Sequence, residues 1–337
     1  MKTAIIRAAT AAFVSLVAGL SLAGFAANAQ QASAQPDVKW PTKSVRIIVP
    51  TAAGGPTDYT SRILADELTA RLGQAFVIEN RPGAGHQIGM TAVANADPDG
   101  YTLGAVSTPY VFNPALYKKL PYDNNALKPI FLLTTSPLVL GVPSSLPVKS
   151  VQELVALAKA KPGELNMASP GNTTGPHLAG ELFQSVSGIK LQHVPYRGGP
   201  QSTTALIRGE AQVYFDTPTG IMPHVENGQV KALAQTGAAR VPQLGNMPTM
   251  AEAGCVGCEF DVYNGFVVPA GVPAPIAARI EAAIKAVATD PKVRQRFEAE
   301  GFAVVALPSG EFAALLAKEV TKWTKVAADR GITPPAP

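Results

Sequence analysis

Ile47-Ile48-Val49-Pro50-Thr51-Ala52-Ala53-Gly54-Gly55-Pro56-Thr57-Asp58 runs from a short apolar strand through a glycine turn to a helix expected over about 59–72. The paired glycines let the backbone bend tightly and come close to a ligand. The first helical turn adds N–H groups without intrahelical partners and the positive end of the helix dipole. Such a turn is a seat for an anion. A strand, a glycine turn and a helix in that order also open a sheet covered by helices, and the rest of the chain repeats the unit.

Strands are expected at 45–49 and 76–78, after which Asn80 to Gly89 forms a second glycine turn feeding a helix through about Ala94. Gly83, Gly85 and Gly89 approach a dinucleotide fingerprint, but the spacing is one residue too long and Tyr101 to Ser107 contains no acidic residue. No nucleotide, and no other cofactor, is therefore expected. The strand from Tyr101 to Val106 ends at Ser107 and Thr108, whose hydroxyls would face the crevice beyond a parallel strand's carboxyl end. Asn113 to Tyr117 and Leu120 to Asp123 read as apolar residues packing a loop onto the domain. Ile130 to Thr135 leads into Pro137 to Val142, a strand crossing into a second domain.

Ser150 with Glu153 three positions on marks the start of a helix over 151–160. The strand ending at Ser169 runs into Gly171-Asn172-Thr173-Thr174 and a helix over about 176–187, a second anion seat facing the first across a cleft. Tyr196-Arg197-Gly198-Gly199-Pro200 is a third such turn, with a helix to Arg208. Val213 to Asp216 begins a strand ending in polar residues at Thr219, and Val230 to Gln235 is a further strand. Tyr263 to Val268 returns the chain to the first domain, which helices over about 274–288 and 309–329 complete.

Lys2 and Arg7 precede an apolar run from Ala8 to about Leu22, and small residues follow, ending Ala27-Asn28-Ala29. This is the pattern of a secretory signal peptide cleaved after Ala29, which implies export to the periplasm. The chain of 337 residues has 28 basic against 24 acidic residues, and removing the two leader cations leaves it nearly neutral. With no basic run, nucleic acid is not an expected partner. The length suits two domains.

The opening stretch, together with Glu79-Asn80-Arg81-Pro82-Gly83-Ala84-Gly85 and Asp97-Pro98-Asp99-Gly100-Tyr101-Thr102-Leu103, resembles the Bug family of extracytoplasmic solute receptors, the binding proteins of tripartite tricarboxylate transporters. The resemblance covers essentially all of the chain after the leader. It implies an α/β periplasmic binding protein type II fold, with two α/β domains and a ligand cleft between them. We expect one domain over 38–136 plus 264–337 and the other over 137–263. The implied partners are a small carboxylate and the large and small membrane subunits of the transporter, with a membrane sensor kinase as the alternative. A monomer is expected.

In Bug proteins a ligand carboxylate is held by the loop matching Ala53, Gly54, Gly55, Pro56, Thr57 and Asp58, and by the loop matching Ser169, Asn172, Thr173 and Thr174. Asp58 is read as a brace of its loop. Ser107, Thr108, Arg197, Gly198, Gly199 and Asp216 join the expected site from their places at strand ends and glycine turns. Two departures from the family concern the distal end of the ligand. His86 stands where relatives have a small residue, and Tyr263-Asn264-Gly265 replaces a Trp-Tyr-Gly sequence. His86, Tyr263 and Asn264 are therefore expected contacts, and a dicarboxylate or an aromatic carboxylate fits, the latter stacking on Tyr110, Phe112 or Tyr263.

A catalytic reading finds no Gly-x-Ser-x-Gly elbow and no His-Glu-x-x-His, and His86, His177, His193 and His224 lack metal-ligand spacing. No metal site is expected. His177 reads as a structural hydrogen-bonder, and His193 and His224 as structural or surface residues. Cys255 and Cys258 are the only cysteines. In an oxidising compartment a local disulfide is their first reading, with a redox or zinc site second; Bug proteins usually lack the pair. The rival function is an exported hydrolase or lyase on the same two-domain frame.

Overall fold

The computed structural model describes residues 39–332, so the leader lies outside the described residues. The fold belongs to the unit that begins at Trp40. Chain order runs β1 (Val45–Val49), α1 (Pro56–Leu72), β2 (Phe76–Asn80), α2 (Gln87–Ala94), β3 (Thr102–Ser107), α3 (Thr108–Leu116), β4 (Leu127–Pro137) and β5 (Val139–Pro143). It continues with α4 (Val151–Ala160), β6 (Asn166–Ser169), α5 (Gly175–Ser187), β7 (Gln192–Pro195), α6 (Gly199–Ile207), β8 (Val213–Asp216), α7 (Pro218–Glu226) and β9 (Val230–Gln235). The last elements are β10 (Asp261–Pro269), α8 (Ala274–Ala288), α9 (Pro291–Ala299), β11 (Ala303–Pro308) and α10 (Ser309–Arg330).

These strands form two sheets, one ordered β11-β4-β10-β3-β1-β2 and the other β7-β6-β8-β5-β9. The parallel character expected from the strand and helix alternation holds for β1 with β2 and β3, and for β6 with β7 and β8. It fails where the chain crosses between sheets. There β10 runs antiparallel to β3 and β4, and β5 runs antiparallel to β8 and β9, so both sheets are mixed. β1 has four of its five residues buried, as a strand covered on both faces requires.

Both crossings are tied at one residue. Thr236 Oγ1 accepts from the Leu138 N–H at 2.8 Å and donates to the Phe260 carbonyl at 2.5 Å. Outward and returning segments therefore meet on a single buried hydroxyl.

Three helices and a strand arise where the sequence reading placed none. Residues 108–116 are α3 rather than the end of a strand and a packing loop, with Phe112 buried 4.4 Å from Trp323 between ring centroids. Residues 218–226 are α7, and α9 with β11 fills the span between the two C-terminal helices. Expectation and structure also differ for α10. It packs on α3 and β4 but ends with Arg330 bonded to Glu181 on α5, in the layer of the second sheet.

Candidate functional site

At the carboxyl ends of β1, β2 and β3 stand the N-termini of α1, α2 and α3, and at those of β6, β7 and β8 the N-termini of α5, α6 and α7. None of these six helices has a side-chain cap. Five of them instead place a proline in the first turn, at 56, 109, 176, 200 and 218, where the missing N–H costs nothing. Of the other four helices, α4 is capped by Ser150 and α9 by Asp290, while α8 and α10 also lack a side-chain cap, so what sets the six apart is their shared place beyond the strand ends. The two groups of three, one per sheet, are thus left with first-turn donors that no side chain satisfies.

In the first loop Gly54 takes a left-handed φ of 86° and its N–H donates to Asp58 Oδ2 at 2.9 Å. Asp58 also accepts from Arg62 Nε at 2.8 Å and from Asn80 Nδ2 at 2.9 Å. Burial pushes its carboxyl up, but the hydrogen bonds from Arg62, Gly54 and Asn80 outweigh that and hold it below the usual range. Asp58 is a brace, with its oxygens spent inside the protein. Ala53, Gly54 and Pro56 are exposed, whereas Thr57 is buried and donates to Asn264 Oδ1 at 3.0 Å. Asn264 pairs with Ser107 in the β10 to β3 ladder, so Thr57, Ser107 and Asn264 meet at the carboxyl end of β3.

His86 has a φ of 73°, and its Nδ1 shares a hydrogen bond of 3.1 Å with Ser107 Oγ. Burial pushes its imidazole down to about 4, so it is neutral at physiological pH. Asn113 Nδ2 donates to the Gly85 carbonyl at 2.9 Å and holds the turn. The sequence reading puts Asn113 in a packing loop and outside the site, whereas the structure puts it on α3. Gly89 explains the third glycine of the dinucleotide-like pattern. A Cβ there would lie 3.0 Å from Pro50 Cα and 3.1 Å from the Arg81 carbonyl oxygen, so glycine lets α2 pack on the end of β1.

The expected aromatic walls are placed elsewhere. Phe112 lies in the core against Trp323 and Phe260, and Tyr110 is buried beside it in sequence on α3. Tyr263 alternates to the strand face opposite Asn264 and is buried. Burial, then Glu319 and Asp261, push its phenol upward. Thr108 Oγ1 accepts from the Tyr263 N–H at 3.3 Å.

In the second loop Ser169 Oγ lies 2.6 Å from His193 Nε2, and the Gly171 N–H reaches Ser169 Oγ at 3.2 Å. Thr174 Oγ1 donates to the Gly171 carbonyl at 2.7 Å and Thr173 Oγ1 to the Asn172 carbonyl at 2.7 Å. Both hydroxyl protons are spent on the loop itself. The Gly171 and Thr173 N–H groups are used inside the protein as well, which leaves those of Asn172 and Thr174 as the loop's backbone donors. The Thr173 N–H donates to His177 Nδ1 at 3.0 Å, and the His177 ring stacks on His193 at 4.0 Å. The two histidines lie on different elements, α5 and β7, and nothing in the sequence signals their pairing.

In the third turn Arg197 is exposed, and Gly198 takes a φ of 150° before α6. Asp216, at the end of β8, accepts from the Thr217 N–H at 2.8 Å and from Thr203 Oγ1 at 3.2 Å. Burial raises its carboxyl against those hydrogen bonds. A cavity of about 450 Å³ opens beside Gly199, Thr203, Asp216 and His224. His224 itself bonds Gln229 at 2.9 Å. Cys255 and Cys258 form a disulfide. Among the described residues no group of three histidine, cysteine or acidic side chains is placed to hold a metal ion, and no helix is long and apolar enough to cross a membrane.

Two mixed sheets, each turning three uncapped helix starts beyond its strand ends, make an α/β frame of two domains of the periplasmic binding protein kind. Residues 60–332 match the family described as the tripartite tricarboxylate transporter family receptor, and the chain belongs to that family. A UPF0065 protein of Bordetella pertussis is 35% identical over 254 residues, 75% of this chain and 78% of its own length. Among solved structures, Rpa4515 of R. palustris with adipate has a TM-score of 0.76 at 31% identity, covering 88% of this chain and 99% of that one. The periplasmic binding protein BugD has 0.73 at 31%, covering 87% and 99%. MatC of Rhodopseudomonas palustris with bound malate has 0.72 at 30%, covering 85% and 99%.

Proposed function

We propose that this protein is a periplasmic receptor that captures a small carboxylate between its two domains and delivers it to the membrane subunits of a tripartite tricarboxylate transporter. The observation that carries the reading is the placement of six helix starts without side-chain caps, three beyond the strand ends of each sheet. Backbone N–H groups and helix dipoles replace the hydration of a carboxylate, and domain closure then buries it. Each dipole adds about 0.3–1 kcal/mol, so the loops must also donate hydrogen bonds. On this reading the backbone N–H groups of Ala53, Gly55, Thr57, Asn172, Thr174, Gly198 and Gly199 form the seats, those of Gly54, Gly171 and Thr173 being used internally, with His86, Ser107 and Asn264 toward the distal end. Asp58, Thr174 and Tyr263 support from behind.

Similarity to proteins solved with adipate and with malate supports the carboxylate. The leader with Lys2, Arg7 and Ala27-Asn28-Ala29 supports export and cleavage after Ala29. The domain boundaries on this reading are the crossings at 137–139 and 235–261. No turnover is expected. The Ser169 and His193 pair has the spacing of a nucleophile and its base, but Ser169 is fully buried and its oxygen is tied to Gly171. The test is mass spectrometry of small molecules released from the purified protein, followed by calorimetric titration. Recovery of an unaltered carboxylate bound one to one is expected, and a chemically altered one would overturn the reading.

A further inference from the structure

The second loop is held from behind by a chain of groups that ends in the other layer of the molecule. Thr173 is a β-branched residue with a φ of 58°, a conformation that persists only where the surroundings enforce it. Its N–H donates to His177 Nδ1 at 3.0 Å, which requires that nitrogen to be unprotonated and sends the neutral ring's proton to Nε2. His177 Nε2 faces Glu181 Oε1 at 3.7 Å, one turn along α5. Glu181 Oε2 in turn accepts from Arg330 Nε at 3.0 Å, and Arg330 Nη2 donates to Gln184 Oε1 at 2.8 Å. Arg330 is the last residue of α10, whose body packs on α3 and β4.

The titratable and charged groups that face the His177 ring are His193 from β7, stacked at 4.0 Å, and Glu181 from its own helix. Arg330 stands on the far side of Glu181 and neutralises it. Burial keeps both imidazoles uncharged, at about 4 for each. A charged His177 would lose its acceptor and release Thr173.

We propose that His177, Glu181 and Arg330 form a positioning relay that sets the 171–174 backbone for ligand, with Arg330 as its remote end. The inference rests on the carboxylate reading only for what the loop binds, since the relay itself is internal. Arg330 places the guanidinium that keeps Glu181 from drawing a proton onto His177. The shape of one anion seat is thereby made to depend on a helix that packs mainly on the other sheet's layer.

The test uses the exported full chain and the variants Arg330→Gln, Arg330→Lys and His177→Phe, with nitrogen NMR of the histidine rings, amide exchange at Thr173, and adipate, malate and benzoate as binding probes. In Arg330→Gln the His177 ring should titrate above its wild-type value of about 4, because Glu181 is no longer neutralised. Thr173 exchange should quicken about tenfold as its hydrogen bond weakens, and Arg330→Lys should restore part of both effects. His177→Phe keeps a ring to stack but removes the acceptor, and should give fast Thr173 exchange at every pH. An unchanged His177 titration and unchanged Thr173 exchange in Arg330→Gln would overturn the relay. If the wild type binds none of adipate, malate and benzoate while Thr173 still responds to Arg330→Gln, the relay stands and the carboxylate reading is the one that fails.

Discussion

Thr236 and Leu138 are joined by two hydrogen bonds, the Thr236 N–H donating to the Leu138 carbonyl at 2.8 Å and the Leu138 N–H donating to Thr236 Oγ1 at 2.8 Å. Because the same hydroxyl donates to Phe260, it fastens the outgoing and returning segments side by side. Thr236→Val would leave a buried N–H and a buried carbonyl without partners, at a cost of about 1–3 kcal/mol. Chemical denaturation should show that loss, and small-angle scattering should show a wider spread of domain orientations. A variant as stable as wild type would mean that water replaces the hydroxyl.

Asp58 satisfies one donor of the glycine turn, one arginine and one asparagine at once. Asp58→Ala should cost about 1–3 kcal/mol, less than a fully buried ion pair would, because Arg62 remains half exposed. Ligand affinity should fall with it as the Gly54 turn loosens. Loss of stability with full affinity, measured by calorimetry, would place the ligand away from this turn.

Folded His86, His177 and His193 each hold an imidazole at about 4, below the ordinary 6.5. Between those values the unfolded chain takes up protons that the folded chain refuses, so stability present above 6.5 is lost as pH falls toward 4. Asp261 opposes the trend, since burial and then Glu319 raise it to about 7 and its folded form keeps a proton there. Asp216, also raised by burial, acts in the same sense as Asp261. Three imidazoles against two carboxyls leave a net loss on acidification. Urea titrations at pH 7.5 and 5 should show it, and Asp261→Asn should steepen it. Equal stability at both pH values in that variant would mean that the histidines titrate normally.

His86→Gly removes a side chain from a left-handed position and should stabilise the ligand-free fold by about 1 kcal/mol. It should also change which carboxylate binds, because the imidazole on Ser107 goes with it. Since that imidazole is neutral, wild-type affinity should stay flat between pH 6 and 8 unless the ligand itself charges the ring. Affinity that falls as pH rises would show a ligand-induced imidazolium, and identical selectivity in the variant would place His86 outside the site.

What could be read in advance was whatever follows from local pattern. The apolar run at 45–49, the Ser150 and Glu153 pair and the glycine turns at 54, 171 and 198 each signal their own structure. α3 was hidden because Pro109 stands in its first turn and Pro114 within it, and α7 because Pro218 and Pro223 do the same. Proline reads as a breaker, yet Pro109 and Pro218 stand in the first turn, where an N–H has no intrahelical partner, while Pro114 and Pro223 each forgo one i→i−4 bond within a short helix. At the site, backbone seats could be read but not side-chain roles. Whether the Thr174 hydroxyl points outward or to Gly171, and which of Tyr263 and Asn264 takes the strand face that meets Thr57, depends on register and turn geometry that composition does not carry.

The six helix starts have a consequence for how cargo is told from solvent. Ser150 and Asp290 close their helices with an oxygen built into the chain, covalently delivered and always present. On the proposed reading the helices around the cleft borrow that oxygen from outside, so the bound molecule serves as a side chain the polypeptide omits and can give back. Such a receptor is finished only when loaded. Its empty form carries several terminations that water must supply, which makes the incomplete protein and the unoccupied carrier one and the same state for any membrane partner to distinguish.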